Sequence, residues 1–150
     1  MKHRKPYQIA LTLAGLGMIA GAVFHVACLI GGPDWVAFAG APNWAVESVR
    51  EGTWVGFVGT LLITTLLIFW ALYAFSAASI FRKLPLLKST LGITAFILIV
   101  RGLIFLPLLP RWKWNEPLYI FHGALSFFVL FLGLAFAFGL YGFIKDQPHK

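Results

Sequence analysis

The sequence predicts an all-α polytopic membrane protein, a bundle of four transmembrane helices with an outer loop that contains short interfacial helices. Of the 150 residues, 60% are hydrophobic and only 11% are charged, whereas soluble domains carry about 25% charged residues. Apolar runs of about 20 residues are long enough to cross a bilayer as helices. Four such runs fill most of the chain, so we expect a single transmembrane domain, residues 1–150.

The first predicted span covers about residues 7–30. Pro6 is suited to the first turn of a helix, and a Gly-Gly-Pro sequence ends the apolar run. A basic start followed by an apolar run is also the pattern of a signal peptide. Here the apolar run is too long for one, and no small-x-small cleavage site follows it. We therefore expect this helix to be retained.

Residues 31–52 form the longest loop between predicted spans, and this loop is half apolar. Pro33 can begin one short helix, and Asn43 can cap a second. Both helices would lie in the membrane interface, anchored by tryptophan. The alternative is a lid that brings Glu47 and Glu51, four residues apart on one helical face, over the mouth of the bundle. We favour the interfacial interpretation.

The other predicted spans cover about residues 53–76, 90–109 and 118–144. Cytoplasmic loops carry an excess of Lys and Arg, so the basic residues predict the orientation. The predicted inner side holds eight: Lys2, Arg4, Lys5, Arg82, Lys83, Lys88, Lys145 and Lys150. The outer side holds three, together with five tryptophans in or next to its loops: Arg50, Arg111, Lys113, Trp35, Trp44, Trp54, Trp112 and Trp114. We expect a protein of the cell inner membrane with both termini in the cytoplasm.

The net charge of +7 does not indicate nucleic-acid binding, because the basic residues lie in short loops between apolar runs. There they act as topology signals and contact anionic lipids, so membrane lipids are the expected partners. The one cysteine, Cys28, permits no internal disulfide and no CxxC chemistry. We interpret it as a small apolar packing residue.

Three polar residues of the predicted spans share one layer in the outer half of the membrane. At about 1.5 Å per residue, Arg101 lies ~12 Å below the outer end of the third span, His25 ~8 Å below that of the first, and His122 ~7 Å below that of the fourth. Arginine keeps its proton at any ordinary pH, and a charge in hydrocarbon is costly. An inward-facing cluster of these side chains is therefore favoured over lipid contact.

Small and polar residues gather on one face of each span, which supports this cluster. His25 shares a stripe with Gly21, and His122 shares one with Ser126. The predicted ligand-binding pocket comprises Arg101, His25, His122, Glu47, Glu51, Thr60 and Ser126. The alternative is that Arg101 snorkels to the headgroups and both histidines are ordinary interfacial residues.

Three stretches, taken together, carry a resemblance to known proteins: FHVACLIGGPDWVAFAGAP at residues 24–42, FRKLPLLKS at 81–89 and VRGLIFLP at 100–107. They resemble small bacterial inner-membrane proteins with four helices. The resemblance covers most of the chain and implies the four-helix layout in a bacterial cytoplasmic membrane. It implies no activity.

The leading functional hypothesis is a non-enzymatic membrane protein whose polar pocket binds a ligand, an anion or protons, as a transport element or an accessory subunit. The second is a membrane redox protein that holds one b-type haem between His25 and His122. The third is a structural or assembly protein, in which glycine-rich helix faces support a homo-oligomer. A metal site of both histidines, Cys28 and a loop carboxylate has no compact motif behind it. No Ser-His-Asp trio is evident, so we do not expect an enzyme.

Overall fold

The computed structural model describes residues 4–80, 82–104, 106 and 115–147. All regular secondary structure in these residues is helical, which confirms the predicted all-α class. The helices are α1 (Pro6–Gly31), α2 (Pro33–Phe38), α3 (Asn43–Arg50), α4 (Trp54–Ala77), α5 (Leu87–Leu103) and α6 (Pro117–Lys145).

Three of these helices, α1, α4 and α6, are long and apolar enough to cross a membrane. They contain 26, 24 and 29 residues and therefore extend over about 36 Å or more at 1.5 Å per residue. A bilayer has a hydrocarbon core of about 30 Å. The three helices are compatible with a multi-pass membrane protein, and their bounds agree with the predicted spans to within one residue.

The third predicted span, residues 90–109, corresponds to α5. This helix begins three residues earlier than predicted and contains 17 residues, about 26 Å at the same rise. Residues 105 and 107–109 of the predicted span lie outside the described residues. That α5 crosses the membrane and completes a four-helix bundle stays a prediction.

The chain divides into two compact units. The larger unit comprises residues 1–17 and 70–150, and the smaller unit comprises residues 18–69. The larger unit therefore holds the first turns of α1, the last turns of α4, and all of α5 and α6. The smaller unit holds the rest of α1, the helices α2 and α3, and most of α4.

In the larger unit, α5 packs antiparallel against α6 with the two backbones in close contact. Gly102 lies against Leu130, where a Cβ atom added to the glycine would be 2.6 Å from the leucine Cβ. Gly133 lies against Ile99, where an added Cβ would be 2.8 Å from the isoleucine backbone nitrogen. Glycine is required at both positions because any side chain would push the helices apart.

The start of α1 and the segment that follows α4 meet the end of α6 at one end of the larger unit. The hydroxyl of Tyr7 donates a hydrogen bond of 2.9 Å to Oδ2 of Asp146. Nε2 of Gln8 donates one of 3.4 Å to Oγ of Ser79. These side-chain bonds fix helix ends that are far apart in the sequence.

In the smaller unit, α2 and α3 pack against each other. Val36 and Val46, one from each helix, form a buried apolar cluster with Cys28 of α1. The segment was predicted to form two short helices, but Asn43 is the first residue of α3 rather than its cap. The cap position belongs to Pro42, and no side chain caps the helix.

The start of α4 is held by a side chain from α3 in the same unit. The buried hydroxyl of Ser48 accepts a hydrogen bond of 2.7 Å from the backbone N–H of Gly56, and it lies 2.6 Å from the hydroxyl of Thr53. The first N–H groups of a helix have no partner within the helix. Ser48 therefore supplies the bond that an N-cap side chain usually makes.

Candidate functional site

The residues predicted to form one pocket are divided between the two units. Arg101, His122 and Ser126 belong to the larger unit, and the smaller unit contains the rest: His25, Glu47, Glu51 and Thr60.

Arg101 is an exposed residue in the last turn of α5. Its neighbour Gly102 is buried against α6, whereas Arg101 is exposed among the exposed apolar side chains Ile97, Val100 and Ile104. The guanidinium makes no hydrogen bond or ion pair with any described residue. Arg101 is near the C-terminal end of α5, where the negative end of the helix dipole stabilises a positive charge. No carboxylate in the described part of the chain offsets this charge.

Ser126 and His122 lie one turn apart on α6. Ser126 is buried, and the half-buried ring of His122 contacts the ring of Phe121, with 5.8 Å between the centroids. The contact of Gly102 with Leu130 sets Arg101 level with Phe131. The Cα of Ser126 is then displaced from Arg101 by roughly 7 Å along the helix axis, and that of His122 by roughly 13 Å.

This register does not bring Arg101 into contact with His122 by itself. An extended arginine side chain reaches about half of that distance. Ser126 is the nearer of the two predicted partners. A ligand between α5 and α6 would be needed to join all three polar groups.

His25 is half-buried on α1, where its ring is anchored to its own helix. Nδ1 lies 2.8 Å from the carbonyl oxygen of Gly21, and the ring makes an edge contact with Phe24. When Nδ1 carries the proton, it donates to this carbonyl and leaves the lone pair of Nε2 available. That state suits a histidine that accepts a hydrogen bond or binds a metal.

The two predicted loop glutamates have different surroundings. Glu47 pairs with Arg50 one turn later, with 2.6 Å between the carboxylate and the guanidinium, and both side chains are exposed. Glu51 is the C-cap residue of α3 and is also exposed. Each glutamate is therefore accessible, and the charge of Glu47 already has a local partner.

Thr60 is satisfied within α4, because its hydroxyl donates 2.9 Å to the carbonyl of Gly56. Two other threonines carry buried hydroxyls that find no partner among the described residues: Thr64 on α4 and Thr94 on α5. Thr94 is completely buried. Neither threonine is among the predicted pocket residues, and the sequence gives no sign that their hydroxyls would be left unpaired.

Sequence reasoning also missed a cluster in the larger unit. Asp146 accepts the hydrogen bond from Tyr7 and forms an ion pair with Lys5. About 140 residues separate these partners in the chain, so no local pattern predicts the contact. The sequence predicts Lys5 on the inner side, but it does not indicate Asp146 as its partner.

A metal site finds no support in the described residues, where no group of three His, Cys, Asp or Glu side chains lies close enough to hold an ion. Cys28 is buried in the apolar cluster with Val36 and Val46.

The chain matches no protein-family model, and neither the characterised proteins nor the solved structures contain a significant match. The resemblance to small bacterial inner-membrane proteins, and the bacterial membrane that it implies, stay predictions. What is established is an all-helical chain with three apolar helices suited to a multi-pass membrane protein.

Proposed function

We propose that this chain is a small integral membrane protein that binds an anionic group through Arg101, as a transport element or an accessory subunit. One observation carries the proposal: the charge of Arg101 lies among exposed apolar side chains and has no counter-charge in the described residues. If α5 crosses the membrane, an arginine at its centre would cost about 2.5–3.5 kcal/mol, and one in its last turn, as Arg101 is, would cost less. Binding an anion offsets that cost.

The polar groups of α6 complete the proposed site. Arginine presents a planar fork of donors that matches carboxylate and phosphate oxygens. Ser126, the nearer group along the helix register, supplies a hydroxyl, and His122 supplies a ring nitrogen further toward the start of α6. An anion held by Arg101 would bridge the separation that the register leaves between these side chains. Of the other predicted pocket residues, His25 and Thr60 stay candidates on α1 and α4, and Glu47 and Glu51 stay candidates on the predicted outer side.

The test compares anion binding by the wild type and by variants of Arg101. The purified protein is heated in uncharged detergent with added phosphate, sulfate or acetate at constant ionic strength. An anion that binds only the folded state raises the unfolding temperature. We expect this rise in the wild type, a weaker rise in Arg101→Lys, and none in Arg101→Leu.

Arg50→Leu is the matched control, since Arg50 is an exposed arginine with its own partner Glu47. This variant should respond to anions as the wild type does. If Arg101→Leu also responds fully, Arg101 does not bind the anion. An unchanged oligomeric state and stability in all variants would then favour the structural alternative.

A second candidate, a single b-type haem, is supported by one observation on His25. Its Nδ1 lies 2.8 Å from the carbonyl of Gly21, and haem- or metal-ligating histidines commonly donate one ring N–H to a carbonyl while the other nitrogen binds the metal. His122, the second axial ligand predicted from the sequence, belongs to the larger unit, so the structural support for this proposal comes from His25 alone. Purified protein mixed with haem should develop a Soret band that His25→Ala abolishes. A spectrum identical to that of free haem would end this proposal.

A further inference from the structure

We propose that a groove between the start of α1 and the end of α6 binds the phosphate headgroup of an anionic phospholipid. The proposal does not depend on Arg101, because the groove lies beside the end of α6, whereas Arg101 lies in the last turn of α5 at the opposite end of that antiparallel helix pair.

The groove has a volume of about 430 Å³, within the usual size of small-molecule sites. Six residues that line it carry the argument: Lys5, Tyr7, Phe138, Tyr141, Lys145 and Asp146. The lining changes from charged to apolar along α6. Phe138 is seven residues before Lys145, so it lies about 10 Å further into the membrane if α6 spans it. A phospholipid has the same gradient, from its phosphate to its acyl chains.

The acidic residue of the groove is already compensated. Oδ1 of Asp146 forms an ion pair with Nζ of Lys5, and Oδ2 accepts the hydrogen bond from Tyr7. Both carboxylate oxygens therefore have a partner on α1 or just before it. The charge of Asp146 is thus offset locally and does not repel a phosphate strongly.

Lys145 is the cation that remains available. Its Nζ lies 6.0 Å from the centroid of the Tyr141 ring, and it forms no ion pair within the described part of the chain. A lysine held over an exposed tyrosine at a helix end is well placed to contact a lipid phosphate. If α1 and α6 cross the membrane, Tyr7 and Tyr141 lie near helix ends, where aromatic residues meet headgroups.

The charge around the groove has the sign that this ligand requires. The described basic residues near this end of the larger unit are Arg4, Lys5, Arg82, Lys83, Lys88 and Lys145, against the single acid Asp146. A second groove of about 400 Å³ is lined by Lys83, Lys88 and Phe143 of α6, which places the start of α5 at the same end. Each Lys or Arg close to an anionic membrane surface strengthens binding by about fivefold.

The exposed aromatic side chains favour a lipid over a soluble phosphate. Phe138 and Tyr141 are 51% and 64% exposed on α6, one of the helices suited to cross a membrane. A soluble anion would use Lys145 and leave Phe138 without a partner. An acyl chain would cover that ring.

The experiment measures lipid binding to the purified protein in uncharged detergent by native mass spectrometry. Phosphatidylglycerol is compared with phosphatidylcholine of the same acyl chains. We expect the wild type to prefer phosphatidylglycerol, and Lys145→Gln to weaken that binding about fivefold without changing phosphatidylcholine binding. Asp146→Asn removes the negative charge and releases Lys5, so it should strengthen phosphatidylglycerol binding.

Arg4→Gln is the matched control, because it removes the same charge near the same end from a residue that does not line the groove. It should weaken binding much less than Lys145→Gln. Equal effects of the two variants, or no preference between the lipids, would overturn the proposal. Displacement of the lipid by inorganic phosphate or glycerol 3-phosphate would assign the groove to a soluble phosphate instead. Misfolding cannot imitate the expected pattern, since Asp146→Asn acts in the opposite direction.

Discussion

Replacing Gly102 by alanine tests the close contact between α5 and α6. Gly92 lies on the same helix and faces the same partner, but an added Cβ there would be 3.5 Å from the mobile Cδ2 of Leu140, an ordinary contact. At Gly102 the added Cβ would be 2.6–2.8 Å from Leu130, and two of the three contacted atoms belong to the leucine backbone. The same substitution therefore meets space at one position and a rigid backbone at the other.

The expected magnitudes follow from these distances. Carbon atoms prefer a separation of about 3.5–4.0 Å, so Gly102→Ala must separate the helices locally by roughly 1 Å. Overpacking of this kind costs about 1–3 kcal/mol, and the rigid partner indicates the upper end. Alanine recovers about 1 kcal/mol in helix propensity at either position. We expect Gly102→Ala to lose about 2 kcal/mol and Gly92→Ala to gain up to about 1 kcal/mol.

The assay is denaturant unfolding of both variants in the same mild detergent, followed by circular dichroism. A difference of about 3 kcal/mol between the variants corresponds to more than a hundredfold in the unfolding equilibrium. Because the chemical change is identical, any detergent effect on helix propensity cancels between them. If Gly102→Ala is as stable as Gly92→Ala, the close packing of α5 on α6 is wrong, and so is the register that sets Arg101 level with Phe131.

Three further outcomes follow from the smaller unit. Ser48→Ala should cost about 1–2 kcal/mol in the same unfolding assay because it removes the cap of α4. The control Thr60→Ala should change the stability little, since the hydroxyl of Thr60 bonds within its own helix. Equal losses in the two variants would refute the capping role. Cys28 should react with a maleimide only after unfolding, since it is buried in an apolar cluster, and rapid labelling of the folded protein would contradict that burial. Replacing Glu47 and Glu51 together by glutamine should cost no more than about 1 kcal/mol, as expected for exposed charges. A clearly larger loss than that caused by replacing Arg82 and Lys83 together by glutamine would favour the lid.

The sequence predicts the three long helices well because their signal is local. An uninterrupted apolar run bounded by proline, glycine or charged residues fixes both ends, as at Pro6 and Pro117. The start of α5 was predicted three residues late because Lys88 and Ser89 are polar. In the structure these residues belong to the first turn, which follows Leu86 in a left-handed conformation. Such a backbone turn has no clear signature in a leucine-rich segment.

The candidate site was harder to predict because it depends on register between helices. Depths counted from the predicted span ends set Arg101 and His122 in one layer. The contacts of Gly102 and Gly133 instead set the offset between α5 and α6, and no local pattern encodes that offset. The ion pair of Lys5 with Asp146 was invisible for the same reason, since its partners lie at opposite ends of the chain.

The most direct test of the functional account asks whether α5 crosses the membrane, because only then does Arg101 lie within the bilayer. In a Cys28→Ala background, single cysteines at Lys83 and Asn115 flank α5 and are labelled in intact cells or sealed vesicles with a membrane-impermeant maleimide. We expect Asn115→Cys to be labelled from outside, together with a control cysteine at Pro42, and Lys83→Cys to be labelled only after the membrane is opened. Labelling of residues 83 and 115 from the same side would show that α5 does not cross, and the proposed anion site at Arg101 would be contradicted.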